Sequence, residues 1–101
     1  MKSKHYRNDR KERENLIHNV IGEGKEVATF KIDRHHKNGA ELHTITDTGI
    51  IIIRNAKTKK LITKLIARPN QIKRYFKVIT EAIQKIINLA FEHTRLGYNY
   101  Y

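Results

Sequence analysis

Three histidines, His35, His36 and His43, fall within nine positions of one another. Imidazole is the side chain whose unperturbed pKa lies nearest neutrality, so a general acid and a general base are both to hand. Further on, Lys60, Lys64 and Arg68 recur at every fourth residue of a segment that alternates like a strand, which predicts that they share one of its faces. If that face is also the one that carries His43, an imidazole and a guanidinium converge on a single phosphate. Metal-free RNA cleavage needs such parts: a base for the 2′-hydroxyl proton, an acid for the leaving oxygen, and cations for the charge on the phosphate. Arg68 would supply two-pronged contact and Lys64 a point charge. His36, His43 and Arg68 are therefore the candidate catalytic residues. The plainer readings are a solvated loop for Arg34-His-His-Lys37, a hydrogen-bonded structural histidine for His43, and an ordinary strand residue for Thr63.

Other chemistries find no foothold. The chain has no Cys and one Ser, Ser3, so cysteine and serine nucleophiles, disulfides and thiolate zinc sites are excluded. His35-His36 with Asp33 or Glu41 lacks the spacing of a zinc motif, and Gly22-Glu-Gly24 follows a helical pattern where a phosphate loop would precede one. Neither a metal nor a cofactor is expected.

Charge supplies the second theme. The 101 residues carry 21 Lys and Arg against 10 Asp and Glu, a formal +11, and an excess of this size on so short a chain points to a polyanionic partner. It is concentrated: no acidic residue stands between Asp47 and Glu81, whereas Arg54, Lys57, Lys59, Lys60, Lys64, Arg68, Lys73, Arg74 and Lys77 all do. Arg54, Lys57, Lys60, Lys64, Lys73, Arg74 and Lys77 are the candidate nucleic-acid contacts, expected to form one continuous basic wall on a folded scaffold. RNA is expected ahead of DNA.

The elements that must position these groups are read from periodicity. Residues 9–21 predict a helix with Leu16, Ile17, Val20 and Ile21 as its apolar stripe, stopped by Gly22 and Gly24. Residues 25–33 alternate as a half-buried strand with Ala28, Phe30 and Ile32 on one side, and Asn38-Gly39 marks the following turn. Residues 41–46 form a second strand, and Asp47-Thr48-Gly49 leads tightly into Ile50–Ile53, whose four β-branched residues predict a central strand covered on both faces. Residues 60–68 make a fourth strand that ends at Pro69. From Gln71 to about Thr94, Ile72, Phe76, Ile79, Ile83, Ile86 and Ala90 mark one sustained helix. The class is α+β: an N-terminal helix, a four-stranded antiparallel meander and a long C-terminal helix in one domain. Residues 1–8 are expected to be flexible and 97–101 to be an aromatic tail.

With that order in hand, the stretch from Gly24 to Arg68 resembles the small ribonuclease-toxin superfamily that includes barnase, the EndoU nucleases, tRNA-cutting colicins and RelE/ParE-type toxins. The resemblance rests on Asp33-Arg-His-His-Lys-Asn-Gly-Ala-Glu-Leu-His43, Gly49-Ile-Ile-Ile-Ile53 and Leu61-Ile-Thr-Lys-Leu-Ile-Ala-Arg68. It implies a metal-independent, toxin-like endoribonuclease with an active-site hydroxyl or basic group on the last strand, at Thr63, Lys64 or Arg68. The short, basic, Ile/Lys/Asn-rich chain also resembles small phage or prophage proteins. The alternative is a non-catalytic nucleic-acid-binding or regulatory protein of phage type.

The apolar stripe Ile72, Phe76, Ile79, Ile83 and Ile86 is expected first as core. Where so long a helix overhangs the sheet, the stripe becomes a surface for a second copy or a protein partner. No stretch has the length or continuity of a membrane span or signal peptide, and a reducing cytoplasm is the expected compartment.

Overall fold

The computed structural model describes residues 10–33 and 39–100. Its centre is the Ile50–Ile53 run. Strand β3 (Ile50–Asn55) lies inside a four-stranded antiparallel meander, flanked by β2 (Glu41–Thr46) and β4 (Leu61–Ile66), with β1 (Glu26–Ile32) outside β2. Because side chains alternate across a pleated strand, the run feeds two cores. Ile51 and Ile53 join Ile45 and the C-terminal helices on one face, whereas Ile50 and Ile52 join Ile66 and Ile17 on the other. The α+β class and the strand order are those read from the sequence.

The N-terminal helix α1 is α-helical over residues 10–15 and continues as a π-helical segment, Leu16–Ile21. Gly22 closes it, donating its N–H to the Ile17 carbonyl (2.9 Å) at φ +83°. The wider i→i+5 winding turns each residue through a smaller angle than an α-helix does. Ile17 is consequently fully buried, whereas Val20, expected in the same stripe, turns outward and is 55% exposed.

Beyond β4 the long helix is divided in two, α2 (Pro69–Tyr75) and α3 (Glu81–Arg95). Phe76 leaves helical geometry at φ −116°, ψ 125°, and its ring meets Phe30 of β1 edge-on at 5.2 Å. Val78, Ile79 and Thr80 are β-branched and poor helix formers. Thr80 then starts α3 as its N-cap, its Oγ1 accepting the Ile83 N–H. The break folds α3 back across the sheet, burying Ile72, Ile83, Ile86 and Ala90 against β2 and β3. The stripe considered as a partner surface is thus turned inward: Ile72, Ile83 and Ile86 are core, Phe76 is half-buried, and Ile79, in the break, is 40% exposed.

Tyr98 and Asn99, just after Gly97, are anchored. Tyr98–Tyr100 forms a 3₁₀ turn, Tyr98 packs beside Ile17 and Ile66, and the buried Asn99 amide donates to the Ala67 carbonyl (3.2 Å) and to Thr94 Oγ1 (2.8 Å). Among the described residues, no helix is long and apolar enough to cross a membrane.

Candidate nucleic-acid interface

His43 lies in the cross-strand row Phe30–His43–Ile53, on the face that α2 and α3 cover. It is 4% exposed, and both ring nitrogens are engaged: Nε2 with Glu41 Oε1 at 3.0 Å and Nδ1 with the Tyr75 hydroxyl at 2.7 Å. An ionised carboxylate can only accept, so in the neutral ring Nε2–H donates to Glu41 and Nδ1 accepts the tyrosine O–H. Glu41 and His43 are two residues apart on one strand and so share a face, a pairing legible in the sequence. Tyr75, supplied by α2, is not. The result is a buried polar chain that ties α2 to β2, with no open nitrogen for a ribose hydroxyl.

The cations do not gather round that histidine. Lys64 stands opposite Ile52, in the row adjacent to His43's and therefore on the other sheet face. There its ammonium donates to Glu23 Oε2 at 2.6 Å, and this partner holds the Glu23 carboxyl below its ordinary pKa, with Arg54 and His18 adding to the effect. Arg68 lies beyond the end of β4. Thr63, in His43's row, is already three residues, about 10 Å, short of that end. The Arg68 guanidinium donates instead to the Asn99 carbonyl at 3.3 Å. The convergence of His43, Lys64 and Arg68 on one phosphate is therefore not formed. A register shift in the β3–β4 ladder, between the Ile53–Thr63 and Arg54–Leu61 pairs, also breaks the regular alternation expected over residues 60–68, and Lys60 falls outside the strand. Thr63 Oγ1 accepts from Arg13 of α1 at 3.2 Å. His36, with His35, lies outside the described residues.

The remaining cations form two groups. Arg54, next to last in β3, stands on the α1 side, and Lys57, Lys59 and Lys60 crown the β3–β4 hairpin, where Asn55 Oδ1 accepts the Lys57 and Thr58 N–H groups. Lys73, Arg74 and Lys77 project from α2 and the residues just after it, and Arg68 precedes them. Since α2 packs on the face opposite α1, six of the seven predicted contacts fall into two patches in place of one wall, and the seventh, Lys64, is paired with Glu23. Among the described cations of the acid-free interval, only Lys64 meets a carboxylate within ion-pair distance.

The α2 patch borders an open cleft of about 460 Å³, lined by Arg68, Pro69, Asn70, Gln71, Arg74, Phe91 and Thr94. Among the described residues no acidic side chain lines it. Phe91 is not among the nucleic-acid contacts expected from the sequence, yet it stands off the Ile83–Ile86–Ala90 stripe of α3, and a large aromatic off a helix's core stripe is a signal in itself.

On the other side of α3, His93 is buried against the Gly49 turn, 7% exposed, with Nδ1 lacking a hydrogen-bond partner. Burial lowers its pKa, and the Glu92 charge raises it by less. Among the described residues no cluster of three or more His, Cys, Asp or Glu could hold a metal ion. Comparison with family models, with curated proteins and with solved structures yields no match.

Proposed function

We propose that this protein binds nucleic acid, RNA ahead of DNA, through its phosphates and without cleaving it, with the α2 patch of Arg68, Lys73, Arg74 and Lys77 as the principal contact. The observation that carries this reading is the exposure of these four cations on one short helix and its flanks, with no carboxylate of the described residues in ion-pair range of any of them. Unpaired cations this close together repel one another, and a polyanion relieves that repulsion while releasing its own counterions. Arg54, Lys57 and Lys60 form a second patch that extends the field around the molecule. The occupied ring nitrogens of His43 favour binding over catalysis.

The test is a titration of labelled single-stranded RNA, monitored by fluorescence anisotropy over a salt series. Four phosphate contacts predict a slope of log K against log salt of about −3. RNA incubated with the protein in chelator is expected to stay intact. Absence of binding at low salt would end the proposal, and fragments that disappear in His43→Ala would replace it with the nuclease.

A further inference from the structure

The cleft beside the α2 patch has a composition that phosphate binding alone does not call for. Its cationic walls are Arg68 and Arg74, and Phe91 lines it 55% exposed to solvent. A half-exposed Phe beside two arginines contributes less to the core than a buried residue would, and the stripe behind it is already filled by Ile83, Ile86, Ile87 and Ala90. Pro69 adds a rigid apolar surface, and the amides of Asn70 and Gln71 stand among the lining groups. Gln71 uses its Oε1 to accept the Arg68 N–H at 2.8 Å, which leaves its NH₂ to donate elsewhere. At about 460 Å³ the cleft falls in the size range of small-ligand sites.

We infer that this cleft holds an unpaired base of single-stranded nucleic acid, stacked on the Phe91 ring, while Arg68 and Arg74 take the adjoining phosphates. The inference rests on the phosphate-binding reading above and narrows it to a strand class. An aromatic platform discriminates sharply between strand classes: in a duplex each base face is already covered by its neighbours, whereas a single strand offers free π-faces. The cations attract both forms; the ring favours only one. The Asn70 and Gln71 side chains can meet a base edge, but the platform itself tolerates any base.

The chain contains no Trp, so Phe91→Trp places its single tryptophan, selectively excitable over the tyrosines, in the cleft. Titration of this variant with oligouridine or oligothymidine, each about 12 nucleotides long, is expected to quench its emission through stacking, and a duplex of the same length is expected to leave it little changed. Phe91→Leu keeps an apolar cover over α3 but removes the ring. It is expected to weaken single-strand affinity at least fivefold, with duplex affinity within twofold of the parent chain. Comparison of the uridine and thymidine arms decides between RNA and DNA. If the parent chain binds single strands but Phe91→Leu binds them equally well and Phe91→Trp is not quenched, the cleft is not the base site, and the phosphate-binding proposal stands without it. If the parent chain binds no nucleic acid, both fall together.

Discussion

Tyr75→Phe removes the His43–Tyr75 bond from the chain Glu41–His43–Tyr75. The substitution removes only a hydroxyl: the ring can stay where it is, 5.5 Å from Phe30 and 5.8 Å from His43 between centroids. What changes is His43 Nδ1, which loses the 2.7 Å bond from the tyrosine O–H at a site where the histidine is 4% exposed. A buried acceptor deprived of its donor costs about 1–3 kcal/mol, more than the net worth of an ordinary exchanged hydrogen bond. For a domain of this size the middle of that range lowers Tm by roughly 8 °C or more. Urea unfolding followed by far-UV circular dichroism is expected to show a lower midpoint with an unchanged slope, because the native fold and the surface exposed on unfolding are unchanged. Nucleic-acid affinity measured well below Tm should match that of the parent, since the hydroxyl bonds inward. A loss of stability below about 0.5 kcal/mol, or a large loss of affinity with stability intact, would refute the assignment of His43 as a structural tie between α2 and β2.

Burial holds the His93 pKa below 6.5, so between the two pKa values the unfolded chain binds more protons than the folded one; stability is full above 6.5 and declines as pH falls through the histidine range. His93→Leu is expected to flatten that decline in urea titrations at a series of pH values. The Lys64 ammonium holds the Glu23 carboxyl low, so the stabilisation from this pair is present above the ordinary carboxylate range and lost as pH falls below it. In Lys64→Met the Glu23 midpoint, followed by carbon NMR of the carboxyl, should rise. Reversing charge in the triple variant Lys73→Glu, Arg74→Glu and Lys77→Glu should weaken RNA binding more than tenfold and flatten the salt slope by about 2. The hairpin variant Lys57→Glu, Lys59→Glu and Lys60→Glu should have the smaller effect, and the reverse order would move the principal contact to the hairpin.

The residues also separate local information from non-local. Four β-branched residues at Ile50–Ile53 can satisfy a pleated strand only if both faces are covered, and the structure covers both. The alternation of Ala28, Phe30 and Ile32 likewise survives intact as the half-buried side of β1. These patterns are legible because they belong to the backbone's own period of two. The helical stripe from Ile72 to Ala90 was legible as core through the helix's own period of about 3.6, but not its break: Phe76 leaves the helix where its ring meets Phe30, some forty-six positions earlier in the chain. The candidate site fared similarly. Its cations were evident from an interval without acids, whereas the neutralisation of Lys64 by Glu23 depended on where α1 came to rest.

Sequence by itself thus determined the class, the strand order, the two-sided core and the surplus of positive charge, because each is written in residue type and short-range period. Tertiary structure alone decided that His43 faces inward to Tyr75, that Lys64 and His43 lie on opposite sides of the sheet, and that Phe91 shares a cleft with Arg68 and Arg74. The reason is physical: which face a strand residue shares with its neighbours follows from local geometry, but which helix covers that face follows from packing between segments distant in the chain.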